Sequence, residues 1–483
     1  GVKANKAEEI EELVLLTLRN LVETGVPKEL ISSALHQLEI GQREISGGGM
    51  PYGLQLMLGC MNACVHYDNP ISMLDLDDNF TKLKAKIAKE GYIEELIESS
   101  LLKNPHRLTY ELKPDPKFND NLEEFFSSTL KQKEQTLSDS DREEIIKLAD
   151  DLKLRQEAED DAELLPKVTI ADIPLQRKYT ELSLESGNRS IYEVGTNGLI
   201  YSDFLFPCGN LTNEELLFSS LYTFIITEVG LQDKSYEEIQ AHQSKISGGI
   251  GAAIRLQTES SSEPGALFLS ISSKCLEENF NHMEDLIFNT IKSVRFDEEK
   301  RVLDLLNIFV ARNEESLNQN GHYLAMNSAA SSLNALASTS FHLSGLEMLH
   351  RSKEIISKAQ AEGDIDYILG VLKSIHSKVS VKPYKVFTAC SKDALKDRVE
   401  ELESSINKKE QQLIDSTSSQ IAWITGSQVC YCAQAFNGVS REHPDAAPLS
   451  VLATVLRNGF LHTAIREKGG AYGAGATNDT STN

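Results

Sequence analysis

The sequence predicts an α+β protein of repeated units, each an antiparallel-rich sheet covered by helices, with a helical hairpin connecting them. Three observations predict this class. A helix–turn–helix pattern occurs twice, strands with alternating apolar residues accompany the second copy, and a charged segment poor in aromatic residues separates the copies. Because 483 residues are too many for one ordinary core, two to four domains are expected.

The repeated pattern covers residues 9–45 and residues 282–317. Each segment has the apolar periodicity of an amphipathic helix, a short turn with a glutamate, and a longer second helix. Matched positions follow in the same order, such as Leu13 with Leu286, at an offset that drifts only from about 270 to 279 residues. Two copies of one structural unit are therefore predicted. Chance likeness between units of two helices and a strand is the alternative.

The second unit has a recognisable N-terminal half. Residues 190–206 are predicted to form a β-hairpin around Asn197 and Gly198, since a tight turn needs positive φ angles that this pair supplies. Thr212 and Glu215 have the spacing of a capping box at the start of the next helix. Subtracting the repeat offset from this half leads to positions before residue 1, so the first unit is expected to lack its front half.

Further strands are predicted from alternating or apolar runs. Residues 251–259 and 265–274 are predicted to pair with each other, and residues 106–112 are the predicted counterpart of 384–390 in the repeat. The strand pattern then restarts at 419–436. A helix over residues 445–468 follows it, and we expect the chain to be the middle of a longer polypeptide that is cut at both ends.

The segment between the units, residues 128–166, is predicted to form two antiparallel helices that act as a connector and end at Pro166. Ser138 or Ser140 is available as a cap for the second helix. Disorder is the alternative for its acidic end, near 157–163. The apolar stripe of these helices consists of Leu137, Ile145, Leu148 and Leu152.

The charge balance excludes some partners and favours others. Acidic residues outnumber basic ones by 72 to 48, which gives a net charge of −24. Such a chain is unsuited to a nucleic-acid backbone, whereas basic peptides would be attracted to it. The sequence has no apolar run long enough to span a membrane, so no membrane partner is expected. Seven scattered cysteines indicate a reducing compartment.

Several short motifs have simple structural explanations. Cys60 with Cys64, and Cys430 with Cys432, share a helix or strand face, but neither pair has a second pair at zinc-finger spacing, which favours buried thiols. The glycine runs are at 46–50 and 247–253. The second follows a helix and precedes a strand, which is the reverse of a phosphate loop, and a turn or close backbone approach is predicted.

The last residues, 461–483, combine an apolar helix with a glycine-rich stretch, "LHTAIREKGGAYGAGATNDTSTN". Glycines on both sides of Tyr472 allow another backbone to approach closely and leave the phenol exposed. Arg466 and Tyr472 are therefore the candidate binding residues. The structural alternatives are a cation that satisfies carbonyls at the end of its helix, for Arg466, and strand packing, for Tyr472.

The segment "LHTAIREKGGAYGAGA" resembles the start of the last domain of presequence proteases, zinc peptidases of the pitrilysin–insulinase superfamily that include falcilysin-like enzymes. The repeated unit, the charged connector and "HRLTYELKPDPKFN" fit the same branch. The resemblance implies pitrilysin-type units in four related domains around a chamber. Residues 1–115 would be the later part of domain two, 116–165 the connector, 166–410 a non-zinc third domain, and 411–483 the truncated start of domain four.

The family's zinc motif, H-x-x-E-H, is absent from the sequence. The nearest approach, His36 to Ile40, lacks the second histidine, and its pattern predicts that His36 and Glu39 lie on the wetter side of a helix. His443 follows Glu442 but has valine at position 439. We therefore expect no catalytic residue and no metal ligand in this chain. By resemblance, zinc is the cofactor of the full-length enzyme, held by its N-terminal part.

The resemblance also implies a function. In the family, an arginine and a tyrosine six residues later reach the substrate in the chamber, and Arg466 and Tyr472 match that spacing. The chain would be the non-zinc, by itself inactive portion of a metallopeptidase that degrades short unfolded peptides, such as cleaved presequences. The expected location is the mitochondrial matrix, a plastid-type organelle or the bacterial cytoplasm. The alternatives are a non-catalytic scaffold or partner subunit of the same superfamily, and an unrelated α/β binding protein.

Overall fold

The computed structural model describes residues 5–45, 50–66, 69–157, 163, 167, 169–176, 178–258, 265–362, 365–395, 402–405, 410–416, 422–425 and 429–480. The glycine run at 46–49 and most of the acidic stretch near 157–163 lie outside these residues. The helices are α1 (Ala7–Thr24), α2 (Lys28–Arg43), α3 (Tyr52–His66), α4 (Leu76–Ile87), α5 (Tyr92–Ile97), α6 (Phe118–Thr136), α7 (Asp139–Glu157), α8 (Asn213–Ile226), α9 (Tyr236–Ile246), α10 (Phe280–Ser293), α11 (Glu299–Ala330), α12 (Ala335–Ser344), α13 (Leu346–Glu362), α14 (Asp366–Ser377) and α15 (Ala446–Leu456).

Six strands form one sheet, and together with the helices they confirm the predicted α+β class. The strands are β1 (Leu184–Ser186), β2 (Arg189–Glu193), β3 (Leu199–Cys208), β4 (Ile250–Gln257), β5 (Ala266–Leu276) and β6 (Lys385–Cys390). Their order in the sheet is β1-β2-β6-β3-β5-β4. The pairing of β2 with β6 is parallel and every other pairing is antiparallel.

The predicted hairpin at 190–206 is wrong, although its turn is right. Asn197 and Gly198 adopt φ angles of 53° and 83°, as the Asn-Gly pair predicts. The strands on either side do not pair with each other, however, because β6 lies between them. The hydroxyls of Ser202 and Thr388 are 3.2 Å apart across this contact, although 186 residues separate them along the chain. The residues of a local turn cannot predict a contact between positions so far apart in the sequence.

Contacts divide the chain into two compact units, residues 1–26 with 86–179 and residues 27–85 with 180–483. The sheet and its core belong to the second unit. The resemblance predicts a different division, into parts of three peptidase-like domains and a connector. That division stays a prediction.

One face of the sheet is buried under helices. Alternate side chains of β3 and β5, such as Phe204, Phe206 and Leu269, join α8, α10, α11, α13 and α14 in one apolar cluster. Arg189 is also on this side of the sheet and is 1% exposed. Its Nη2 atom lies 2.7 Å from Oε1 of Glu284 on α10, and its guanidinium carbon lies 5.6 Å from the ring centre of Phe280. This buried ion pair fixes β2 to α10.

The capping box of α8 is confirmed and has a second role. The Thr212 hydroxyl accepts a hydrogen bond from the Glu215 backbone N–H, and a Glu215 carboxylate oxygen accepts one from the Thr212 N–H at 2.7 Å. The same carboxylate also accepts hydrogen bonds from Ser374 and Lys378, at the end of α14. Burial, the largest single influence, acts to raise the pKa of Glu215, but these donors together hold that pKa below its usual value. The cap therefore ties α8 to α14.

The first unit contains α1, α5 and the two connector helices. Helices α6 and α7 occur where the connector was predicted, separated by Leu137 and Ser138. The Ser138 hydroxyl donates to the Asp141 carboxylate at 2.7 Å and accepts from the Asp141 N–H, so Ser138 is the cap. The apolar side chains of these helices are exposed, for example Phe125 at 61% and Leu148 at 68%.

The predicted strand at 106–112 is wrong. Its counterpart in the repeat is β6, but residues 106–112 have no strand partner in the described part of the chain. Leu108, Tyr110 and Leu112 are each at least 80% exposed. The alternating pattern is present, but a strand also needs a neighbour for its backbone groups. The helix–turn–helix part of the repeat is present in both copies, as α1 with α2 and as α10 with α11.

The predicted strand at 419–436 is wrong as well, within the residues that the structure describes there. Residues 422–425 and 429–436 contain no strand, whereas the helix predicted after them is present. That helix starts as α15 and continues with wider, π-helical turns over Arg457–Glu467. In the described ranges, no helix is both long and apolar enough to cross a membrane.

Removing the Glu215 carboxylate tests the tie between α8 and α14. We expect Glu215→Ala to lower the free energy of unfolding by about 2–3 kcal/mol, because the cap is lost and Lys378 and Ser374 lose their partner. The matched control is Glu238→Ala, since Ser235 and Glu238 form the same capping box on the exposed start of α9. Its loss is expected to be about 1 kcal/mol. Urea denaturation followed by circular dichroism measures both, and equal losses would contradict the tie.

Candidate functional site

Arg466 lies in the last turn of the π-helical segment, and the chain then reverses at two glycines. The Gly470 N–H donates to the Arg466 carbonyl at 3.1 Å, and Gly470 has a φ of 73°, which glycine adopts without strain. A Cβ at Gly469 would lie 2.6 Å from the Ile465 carbonyl oxygen, so this turn requires glycine there. The glycines shape the segment that presents Tyr472.

Both candidate side chains are exposed. Tyr472 is 94% exposed and Arg466 is also classed as exposed. Among the described residues, neither the guanidinium nor the phenol takes part in a hydrogen bond or ion pair. The guanidinium of Arg466 therefore does not bond the carbonyls at the end of its helix, which was the structural alternative. That the two groups contact a substrate stays a prediction.

His36 and Glu39 do not lie on a wet helix face as predicted. Glu39 is 8% exposed and accepts hydrogen bonds from Arg43 at 3.0 Å and Lys84 at 2.9 Å. The two ring nitrogens of His36 lie 3.1 Å from the Ser244 carbonyl and 3.1 Å from the Asn279 amide. For His36 the prediction failed because its partners come from α9 and from the start of α10, more than 200 residues away along the chain.

Among the residues that the structure describes, the side chains do not fit a zinc ion. No group of three histidine, cysteine, aspartate or glutamate side chains is placed to hold a metal in the described ranges. Both nitrogens of His36 already have protein partners, so the nearest approach to the zinc motif has a structural role.

The cysteine pairs are not buried thiols, contrary to the prediction. Cys64, Cys430 and Cys432 are exposed and Cys60 is half-buried. The buried thiols are those that the sequence did not single out, Cys208, Cys275 and Cys390. Burial raises the pKa of Cys208 and of Cys275 to about 12 and that of Cys390 to about 11.

A groove lies on the sheet face opposite the buried core, and we call it the open-face groove. It has a volume of about 570 Å³. Strand register places its outward side chains in two rows across the sheet. The first row is Tyr192, Ala389, Tyr201 and Lys274, from β2, β6, β3 and β5. The second row is Phe387, Asp203, Ser272 and Gly251, from β6, β3, β5 and β4.

Glycines keep one end of this groove open. A Cβ at Gly248 would lie 2.8 Å from the Lys274 side chain and 2.9 Å from Ile40, so only glycine fits at this close approach. Gly249 has a φ of 102°, and a Cβ placed on it would meet no atom within 4 Å, so its backbone borders open space. Of the two structures predicted for the run 247–253, a turn or a close approach, the close approach is found at Gly248.

The electrostatics of the groove come from two carboxylates. Glu44 pairs with Lys274 at 2.5 Å. Burial raises the pKa of Tyr201, and the charge of Glu44 raises it further. Asp203 accepts a hydrogen bond from the Ser270 hydroxyl at 2.6 Å. The groove thus has aromatic surfaces with two carboxylates beside them, Glu44 paired closely with Lys274 and Asp203 lying 3.8 Å from Arg255.

Sequence reasoning missed this groove. The signal that was available is the polar and aromatic half of β3, where Tyr201 and Asp203 alternate with the buried Ile200 and Phe204. Such alternation indicates a sheet with one open face. The strand that supplies Phe387 and Ala389 enters from far along the chain, so the site itself could not be assembled from β3 alone.

Comparison with protein families identifies the chain. The family described as peptidase M16-C associated matches residues 112–355, about half of the chain. This chain belongs to that family. A second family of the same group, described as the peptidase M16 inactive domain, matches residues 386–483, which include Arg466 and Tyr472. The resemblance to presequence proteases is thereby confirmed for this M16 peptidase-family chain.

Curated relatives of the M16 chain extend along nearly all of it. The mitochondrial presequence protease of Yarrowia lipolytica is 25% identical over 99% of this chain and 49% of its own length. Presequence protease 1 of Arabidopsis thaliana, chloroplastic and mitochondrial, is 25% identical over 98% of this chain and 45% of its own length. The HypA protein of Clostridium perfringens is 25% identical over 98% of this chain and 50% of its own length. The M16 chain thus spans about half the length of these relatives.

A solved structure, that of the peptidase M16 inactive domain from Pseudomonas fluorescens, aligns with 61% of this chain and 69% of its own. It has 16% sequence identity and a TM-score of 0.36.

Thiol reactivity tests the placement of the cysteines. We expect Ellman's reagent to react quickly with Cys64, Cys430 and Cys432 in the folded protein, because exposed thiols ionise more readily than buried ones. Cys208 and Cys275 should react only after unfolding in denaturant. Absorbance gives the rates, and mass spectrometry of alkylated peptides assigns them. Labelling of Cys208 in the folded protein as fast as that of Cys64 would contradict this placement.

Proposed function

We propose that this chain is the non-zinc portion of a metallopeptidase that degrades short unfolded peptides in a closed chamber. The observation that carries the proposal is its likeness to presequence proteases along 98–99% of its length, while it spans about half of theirs. Under this proposal it supplies chamber wall and the substrate-positioning pair Arg466 and Tyr472. The residues that bind zinc and activate water belong to the rest of the protein.

The proposed domain organisation follows the resemblance. Residues 1–115 are the later part of the second peptidase-like domain, and 116–165 connect it to the third. Residues 166–410 form the third, non-zinc domain and 411–483 the beginning of the fourth. The sheet, whose strands all lie between residues 184 and 390, supports the assignment of the third domain. The match of the M16 inactive-domain family to 386–483 supports the assignment of the fourth.

Arg466 and Tyr472 have the chemistry that positioning a peptide requires. A guanidinium offers a rigid fork of donors to a carbonyl or carboxylate, and a phenol donates one hydrogen bond to a developing oxyanion. Both side chains are exposed, and neither is engaged with another described residue, so both are available to a ligand. The glycine turn at 469 and 470 sets the backbone path between them.

The proposed substrates are basic, extended peptides such as cleaved targeting presequences. Two observations support this class. The net charge of −24 attracts cationic chains over long range. Two relatives are named as presequence proteases of mitochondria or chloroplasts, and a third, HypA, is bacterial. The proposed location is therefore a mitochondrial, plastid-type or bacterial compartment.

We expect the 483-residue chain to bind no stoichiometric zinc and to cleave no peptide. Metal analysis after dialysis against zinc, and mass spectrometry of an incubated presequence peptide, measure this. One zinc per chain with activity that a chelator removes would overturn the division of roles.

Reading the coding sequence upstream of Gly1 then separates the proposal from the scaffold alternative. An H-x-x-E-H motif in that region supports the peptidase, and its absence supports the scaffold.

In the full-length protein, Arg466→Ala and Tyr472→Phe should each lower kcat/KM with zinc content unchanged. Loss of one donor to a developing oxyanion typically lowers the rate by about 10²–10³. Arg441→Ala and Tyr110→Phe are the matched controls, since both residues are exposed and lie outside the proposed site. Wild-type kinetics in both test variants would remove the positioning role from this pair.

A further inference from the structure

The first row of the open-face groove contains a slot between two aromatic rings. Ala389 on β6 stands directly between Tyr192 on β2 and Tyr201 on β3. All three residues line the groove, and directly opposed residues of neighbouring strands point to the same side of a sheet. Adjacent strands are about 4.8 Å apart, so the two tyrosine backbones are separated by about 10 Å. The alanine leaves the space between their rings unfilled.

The slot has room for one slender side chain. A flat group between two rings needs about 3.5–4.0 Å on each side, or about 7–8 Å in all, which the spacing of the two tyrosines provides. Phe387, two residues before Ala389 on the same strand, adds a third aromatic surface and is 37% exposed. The occupant is therefore expected to be flat and to lie along aromatic faces.

A carboxylate that has only a distant cation lies beside the slot. Asp203 lies directly opposite Phe387 and two residues from Tyr201. Its Oδ1 accepts the Ser270 hydroxyl at 2.6 Å, whereas its Oδ2 is 3.8 Å from the nearest Arg255 nitrogen, beyond hydrogen-bond length. The Arg255 side chain is 52% exposed. Asp203 thus retains an oxygen that a closer cation can bind.

The second carboxylate of the groove, Glu44, has a cation at close range. Glu44 pairs with Lys274 at 2.5 Å, and the two side chains are 29% and 25% exposed. Lys274 is therefore committed to Glu44, and it offers no free positive charge to an incoming anion. An anionic ligand would meet Asp203 and Glu44 in a groove whose own cation is already paired.

We propose that this slot binds one cationic side chain, an arginine, of an extended peptide, and the proposal rests on peptides being the substrates of the protein. A guanidinium stacks on the faces of Tyr192 and Tyr201 and donates hydrogen bonds to Oδ2 of Asp203, at a shorter distance than the 3.8 Å of Arg255. Arginine fits better than lysine because its charged group is planar and less strongly hydrated. The slot thereby selects peptides by an arginine at a site separate from Arg466 and Tyr472.

The test uses the 483-residue chain and two fluorescein-labelled octapeptides of alanine and serine. One has a single arginine at its centre, and the other has citrulline, which keeps the shape and removes the charge. Fluorescence anisotropy titrations should give about tenfold tighter binding of the arginine peptide. Equal affinities for the two peptides would overturn the proposal.

Two variants locate the binding in the slot. Ala389→Leu fills the space between the tyrosines and should weaken binding of the arginine peptide by about tenfold or more. Asp203→Asn should bring its affinity close to that of the citrulline peptide. The matched control is Ala311→Leu, the same substitution at an exposed position of α11 outside the groove, which should leave binding unchanged. Thermal melting confirms that each variant is folded.

The outcomes separate this proposal from the proposed function. Wild-type binding in Ala389→Leu overturns the slot, whatever the kinetics of the Arg466 and Tyr472 variants show. Conversely, the arginine preference is measured on the isolated chain and needs no peptide cleavage. Loss of the positioning role in the full-length protein would therefore leave the binding result intact and overturn only the role proposed for Arg466 and Tyr472.

Discussion

The position of β6 between β2 and β3 is the constraint on which the rest of the sheet depends. β6 runs parallel to β2 and antiparallel to β3, so it is the only strand among those described that joins the two parts of the sheet. Along the chain it follows α8 to α14. Those helices then cover the same face, and the contact of Arg189 with Glu284 attaches the β2 side to α10. Val386 and Cys390 of β6 are themselves part of the core.

Because helices cover one face of the sheet, the open-face groove lies on the other face. Side chains alternate along each strand, so residues that pack the core also determine which residues face outward. Phe204 is buried, for example, and its neighbour Asp203 borders the groove. Core packing and the groove are therefore parts of one arrangement, and a shift of one residue in the register of β6 would disrupt both.

Local chemistry in the sequence predicted local structure well. The capping box of Thr212 and Glu215 and the Asn197–Gly198 turn are as expected, because both depend on residues within a few positions of each other. The predictions that failed depend on distant partners. Residues 106–112 carry a strand pattern without a neighbouring strand among the described residues, and His36 finds its partners more than 200 residues away. Arg466 and Tyr472 were found through family resemblance, whereas the groove required the strand register of the folded sheet.

The end of the sheet at β4 has a consequence for handling the isolated chain. A terminal strand presents backbone groups that can pair with a strand of another molecule and start aggregation. In β4, Gly251 and Ala253 offer little side-chain obstruction, and Arg255 is the one charged residue between Ile250 and Gln257. Its half-exposed guanidinium would bring like charges together if two such strands met side by side. By that repulsion, Arg255 opposes pairing of two β4 strands from different molecules.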